Sequence, residues 1–214
     1  METGVGAPWW VRGLRVGFGV LGVVVVLWLP VRDGGNAGFS VGNYFSYFTI
    51  ESNVLGAVVL LVGGVIDPRG RRWQVARGAA ALYLLITGVV YAVLLANVDV
   101  SLTDQWINHT LHRVQPIVMV IDWLVVPAGL GVSARLVGAW LIYPAVYGAY
   151  SLIRGPIVDW YPYPFLDPRT QGYPSMLIGL VILAAVFALL AAAVAWVGDL
   201  REPRRAESGV ARRG

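Results

Sequence analysis

The stretch Asn108-His109-Thr110-Leu111-His112-Arg113 leads without a break into the apolar run Val114–Val126, which carries one further charge at Asp122. An apolar run of this kind reads as a membrane-spanning helix. Ionisable groups in such a helix cost roughly a few kcal/mol each, so a cluster of them marks a candidate functional site. Both histidines of the 214-residue chain lie in this one stretch. Histidine is a natural choice for proton traffic, because its ordinary pKa of about 6.5 lets it accept and release protons near neutral pH.

The rest of the chain agrees with a membrane setting. It is 57% hydrophobic and only 13% charged, with a mean hydropathy of +0.68; soluble domains carry roughly 25% charged residues. The expected class is therefore an all-α integral membrane protein. Cysteine is absent, which removes disulfides, thiolate nucleophiles and cysteine-based metal sites. The pI of 9.6 does not point to nucleic acid, since the arginines that raise it segregate by membrane side.

A spanning helix needs about 20 mostly apolar residues. Six segments come close: Leu14–Pro30, Tyr44–Ile66, Gly78–Ala96, His109–Gly131, Leu136–Ile153 and Ser175–Val197. The first lacks a small-residue cleavage site and is read as a span rather than a signal peptide. If six helices alternate, Arg12, Arg15, Arg69, Arg71, Arg72, Arg77, Arg135, Arg201, Arg204, Arg205, Arg212 and Arg213 share one side. The other side has Arg32, Arg154 and Arg169 beside Asp33, Asp99, Asp104, Asp159 and Asp167. The positive-inside rule then predicts cytoplasmic termini and a multi-pass protein of a bacterial inner or plasma membrane. Residues 1–200 read as a single six-helix domain. Residues 201–214 read as a disordered arginine-rich cytoplasmic tail, a contact for anionic lipid.

Two helices entering from the outside bring polar groups to similar depths. In the second span Ser46, Thr49 and Asn53 recur on one face, with Thr49 about five residues, or roughly 7–8 Å, inside. In the fourth, His109, His112, Arg113 and Pro116 share a face, with His112 roughly 6 Å deep by the same rise. A threonine hydroxyl needs a base to become a nucleophile, and His112 is placed to serve Thr49. Arg113, Asn53 or Asn108 would then donate hydrogen bonds to the developing oxyanion. Ser46 and Ser52 are lesser alternatives to Thr49. Glu51 is expected to pair with Arg113, and Asp122 to anchor tyrosines such as Tyr143 or Tyr147 or to relay protons to His112. A zinc site of His109, His112 and Glu51 is a weaker reading, since no H-E-x-x-H pattern occurs. The outer loop Asp159-Trp160-Tyr161-Pro162-Tyr163-Pro164-Phe165-Leu166-Asp167-Pro168 reads as a stiff aromatic belt, or as a substrate wall through Trp160, Tyr163 and Phe165.

These motifs carry a resemblance. Asn108-His109-x-x-His112 with Pro116 nearby, followed by Trp160 and then Tyr163-Pro164-Phe165-Leu166, resembles the androgen-induced, FAR-type family of six-span membrane proteins. The segment Asn43–Asn53 is similar to that of the family's bacterial, Pr6Pr-type branch. The animal members are threonine hydrolases that cleave fatty acid esters of hydroxy fatty acids. Their motifs, carried over position by position, imply Thr49 as nucleophile and His112 as its base, a membrane-lipid substrate, and neither cofactor nor metal. The pattern departs at Ser52, where the animal members have an aspartate three residues after the threonine. Two rival functions are a proton-coupled transporter, which would rest on Glu51, His112, Arg113 and Asp122, and a non-catalytic lipid-binding scaffold.

Overall fold

A computed structural model describes residues 6–95, 104–126 and 128–200. Among the described residues every regular element is helical. Helix α1 runs Trp9–Asp33, the single turn α2 Val41–Tyr44, α3 Phe48–Val65, and α4 Arg71–Val90 with a π turn at Tyr91–Leu95. Next come α5 (Gln105–His109), a π turn (Thr110–Val114) and α6 (Gln115–Val125), which form one uninterrupted helical path. Helices α7 (Ala134–Val158) and α8 (Pro168–Leu200) complete the chain, the latter bent at Gly172, where φ is 77°. Five segments are long and apolar enough to cross a membrane: Trp9–Asp33, Phe48–Val65, Arg71–Leu95, Ala134–Val158 and Pro168–Leu200. The tail 201–214 lies outside the described residues.

Helix α3 packs along α1, while α4 sits centrally against α3, α6 and α8. Small residues let these backbones approach, as in membrane bundles generally. At Gly64 of α3 an added Cβ would stand 2.9 Å from the Arg12 carbonyl oxygen of α1. The outward faces of α1, α7 and α8 are apolar, with Val24, Ile142, Val146, Ile153, Val181 and Leu189 all exposed. A continuous exposed apolar surface of this kind needs a nonaqueous environment.

Three expectations change. The second span does not begin at Tyr44: the chain turns through Phe45–Tyr47, and α3 starts at Phe48. The break holds because tyrosine hydroxyls from elsewhere satisfy the free N–H groups that open α3, as described below. The fourth helical segment is displaced toward the N-terminus, Gln105–Val125 rather than His109–Gly131. Pro127 follows in sequence, and the residue before a proline is driven out of helical geometry; Val126 has φ −116° and ψ 90°.

Arg15 and Arg77 are the third correction. Rather than flanking or connecting spans, both are buried inside helices, 4% and 1% exposed. Arg15 Nε donates to Asp122 at 2.6 Å and Arg77 Nη1 at 3.1 Å. Arg15 also meets Asp67 at 3.3 Å, and the Trp123 ring lies 5.0 Å from the Arg77 guanidinium. Asp122 therefore anchors arginines of α1 and α4, not Tyr143 or Tyr147. A buried carboxylate needs a charge partner more than a phenol, and helical periodicity does not reveal that the arginines lie at its depth.

Candidate active site

Pro116 shapes the helix that carries His112. It has no N–H to give the His112 carbonyl four residues back, and its ring crowds that carbonyl. The path widens immediately before it into the π turn Thr110–Val114. Such turns are frequent at functional sites. A second π turn, at the end of α4, supplies Tyr91, whose ring stacks on His112 at 4.2 Å and 22°. The Asn108 side-chain amide donates to the Tyr91 hydroxyl at 2.8 Å. The imidazole is thus held on its face and at one edge.

That edge fixes its chemistry. His112 Nδ1 lies 3.1 Å from the Asn108 carbonyl oxygen. A carbonyl only accepts, so in the neutral ring Nδ1 carries the proton and Nε2 presents a lone pair. Nε2 faces Thr49 Oγ1 at 3.3 Å. An engaged nucleophile–base pair spans roughly 2.6–3.2 Å, and unliganded sites are commonly looser.

Thr49 is the second residue of α3, in the turn whose N–H groups lack helical partners. Tyr147 Oη accepts from the Phe48 N–H at 3.1 Å, and Tyr163 Oη accepts from the Thr49 N–H at 3.2 Å. Tyr163 Oη also lies 3.3 Å from Thr49 Oγ1. One donor order satisfies the set: Tyr163 O–H to Thr49 Oγ1, Thr49 O–H to His112 Nε2, His112 Nδ1–H to the Asn108 carbonyl. Thr49, His112 and Tyr163 are at most 8% exposed, so little water competes for these bonds. The positive end of α3 adds a favourable field for an anion at Thr49.

The other expected residues fall in different places. Asn53 donates to the Thr49 and Leu111 carbonyls, at 2.8 and 3.2 Å. It ties α3 to the histidine helix, and its amide hydrogens are engaged. Asn108 donates to Tyr91, and the Arg113 side chain is exposed. None of the three therefore points a free donor at Thr49. Glu51 accepts from Tyr143 rather than pairing with Arg113, because it projects toward α7. Asp122 is held by Arg15 and Arg77, and no group of three His, Cys, Asp or Glu able to hold a metal occurs among the described residues. Ser46 bonds to the Gly42 carbonyl and Tyr150, away from His112.

The aromatic loop divides its roles. Trp160 packs edge-on to Tyr47, with the Arg154 guanidinium 5.5 Å from its ring. Tyr163 reaches Thr49, and Phe165 stacks on Tyr163 at 5.1 Å. From the sequence alone Tyr163 reads as part of an aromatic belt or a substrate wall. Two prolines flanking a tyrosine were the available sign, since they fix its backbone direction.

Two cavities meet at this point. A chamber of about 430 Å³ runs between α4, α7 and α8, lined almost wholly by carbon, including Ile86, Val90, Leu141, Leu152, Phe165 and Phe187. A smaller one of about 50 Å³ is bounded by Tyr44, Ile50, Leu111 and His112. Thr49, Tyr163 and Leu95 line both. The larger falls in the roughly 300–1,000 Å³ range of small-molecule sites.

No family model, no curated protein and no solved structure matches this chain.

Proposed function

We propose that this protein is an intramembrane hydrolase of lipid esters, with Thr49 as nucleophile, His112 as general base and Tyr163 as the donor to the oxyanion. The observation that carries the reading is the His112 Nε2 lone pair facing Thr49 Oγ1 at the head of a hydrocarbon-lined chamber. Thr49 Oγ1 attacks the ester carbonyl carbon as Nε2 removes its proton. The carbonyl oxygen becomes an oxyanion, which takes the Tyr163 O–H as that group turns from Oγ1. Collapse breaks the bond to the alcohol oxygen, which receives the proton from Nε2–H. Water, deprotonated by the same nitrogen, then releases the fatty acid from acyl-Thr49. Thr49 and His112 are the pair that the family resemblance implies, Tyr163 is added by its position at Thr49 Oγ1, and the cycle calls for no cofactor.

In this reading the path Gln105–Val125 is a sixth span. Both termini face the cytoplasm of a plasma membrane, and the arginines there touch anionic lipid. The catalytic end then lies toward the outer leaflet. The chain has no cysteine, so single cysteines at Asn36 and Arg72 test this orientation directly. An impermeant maleimide applied to intact cells labels the first and spares the second; the reverse pattern overturns the orientation. Hydrolysis is tested with the purified protein in nanodiscs and a long-chain ester. Thr49→Ala and His112→Ala are each expected to lower the rate by about 10²–10⁴. A Thr49→Ala rate equal to wild type overturns the assignment.

A further inference from the structure

The two cavities differ in size, and the catalytic groups divide them unequally. His112 lines only the small one, whereas Thr49 and Tyr163 stand on the boundary between them. If Thr49 and His112 act as proposed above, on which this inference rests, the chemistry orients the substrate. His112 Nε2 must reach the leaving oxygen, so the alcohol belongs on the His112 side. The acyl carbon stays on Thr49 Oγ1, so the acyl chain belongs on the other side.

The large chamber suits that chain. Its wall on α7 extends from Leu141 to Leu152, about 16 Å at 1.5 Å per residue. With Thr49 in its lining, it runs along the helices, the direction in which an acyl chain lies in a bilayer. Ala145 and Ala149 of α7 and Ala184 of α8 line it and are themselves exposed. The chamber therefore opens sideways between these helices, at the face that meets lipid. Gly148 lies in the same wall, and a Cβ placed there meets no atom within 4 Å. Side-chain volume added at this position meets no steric obstacle. The small cavity, at about 50 Å³, offers far less space.

We infer that the substrate ester binds with its long acyl chain between α4, α7 and α8 and its alcohol on the His112 side, and that Gly148 sets the accepted chain length.

An isomeric pair of esters tests this, with the full chain in nanodiscs. Methyl hexadecanoate and pentadecyl acetate have the same composition but place the long chain on opposite sides of the carbonyl. The wild type is expected to hydrolyse the first at least about tenfold faster, within the usual range of apolar-pocket discrimination. Gly148→Phe is expected to lower the ratio of hexadecanoate to hexanoate methyl-ester rates by about tenfold or more, with Gly148→Ala between it and wild type. Gly138→Phe, on the same helix and outside the chamber, keeps the wild-type ratio. Equal or reversed rates for the isomers overturn the orientation, and an unchanged ratio in Gly148→Phe overturns the gauge. If the wild type hydrolyses neither ester, the hydrolase reading fails, and hexadecanoic acid displacing a fluorescent fatty acid tests the chamber alone. Weaker displacement in Gly148→Phe than in Gly138→Phe upholds the acyl site; equal displacement removes it.

Discussion

Asp122→Asn removes the charge that holds two buried arginines while leaving the side-chain volume almost unchanged. Asp122 receives Arg15 Nε at 2.6 Å, Arg15 Nη2 at 3.3 Å and Arg77 Nη1 at 3.1 Å. After the substitution Arg15 keeps Asp67, at 3.3 Å. Arg77 keeps only neutral acceptors, Gln74 Oε1 and the Val126 carbonyl, together with the Trp123 face. Breaking a buried ion pair from one side typically costs about 3–5 kcal/mol, because the partner charge stays buried. For a chain of this size 1 kcal/mol shifts the melting temperature by about 2–4 °C, so the loss is about 6–20 °C. Thermal unfolding of the purified protein in detergent, followed by tryptophan fluorescence, measures it: Trp123 packs on the cluster. Exchanging Arg77 for Met in the same chain is expected to recover part of the loss, since the stranded charge is then gone. A melting temperature within about 1 °C of wild type for Asp122→Asn would refute the reasoning. The cluster would then be solvated enough to need no counter-charge.

Three further predictions concern the site. Tyr163→Phe removes the donor facing Thr49 Oγ1 and the acceptor for the Thr49 N–H; kcat is expected to fall about 10²–10³-fold with little change in KM, and steady-state kinetics that show only a KM change would speak against it. Gly155→Ala places a methyl group inside the Tyr161 ring, an overpacking that typically costs about 1–3 kcal/mol. It is expected to lower the melting temperature and the hydrolytic rate together, because Tyr163 follows two residues later; a normal value of either counts against the coupling. The last is a pH effect. Hydrogen bonding from the Arg169 guanidinium holds the Asp167 carboxyl below its ordinary value. A depressed carboxylate contributes stability above its unfolded pKa of about 3.9 and loses it as pH falls through the lower folded value. Proteolysis of the 159–167 loop in a nanodisc-embedded protein is thus expected to rise below about pH 4 and to stay flat above it. Asp167→Asn should abolish the dependence.

What could be read in the sequence was what local periodicity encodes. Apolar runs of spanning length gave the helical class and the approximate place of each helix. Two short polar faces, Ser46–Asn53 and His109–Pro116, drew attention to the residues that meet at Thr49 and His112. What escaped depends on pairing across the bundle. At the helix interruption Phe45–Tyr47, Tyr147 and Tyr163, about a hundred residues away in sequence, satisfy the first N–H groups of α3. Arg15 and Arg77 look like interfacial charges until Asp122 is seen at their depth. Glu51 has several partners within reach by sequence, and only the packing of α3 on α7 selects Tyr143. Tyr163 was visible as an aromatic in a proline-rich loop, but nothing in its neighbours tells which way its hydroxyl points.

The most direct test of the account is covalent labelling of the nucleophile. Membranes containing the wild type, Thr49→Ala, His112→Ala and Ser46→Ala proteins are treated with a fluorophosphonate probe, and the labelled residue is located by mass spectrometry. The account predicts a phosphonylated Thr49 in the wild type and Ser46→Ala proteins, and no label in the other two. A folded wild-type protein that takes no label, or a label that survives Thr49→Ala, would contradict it.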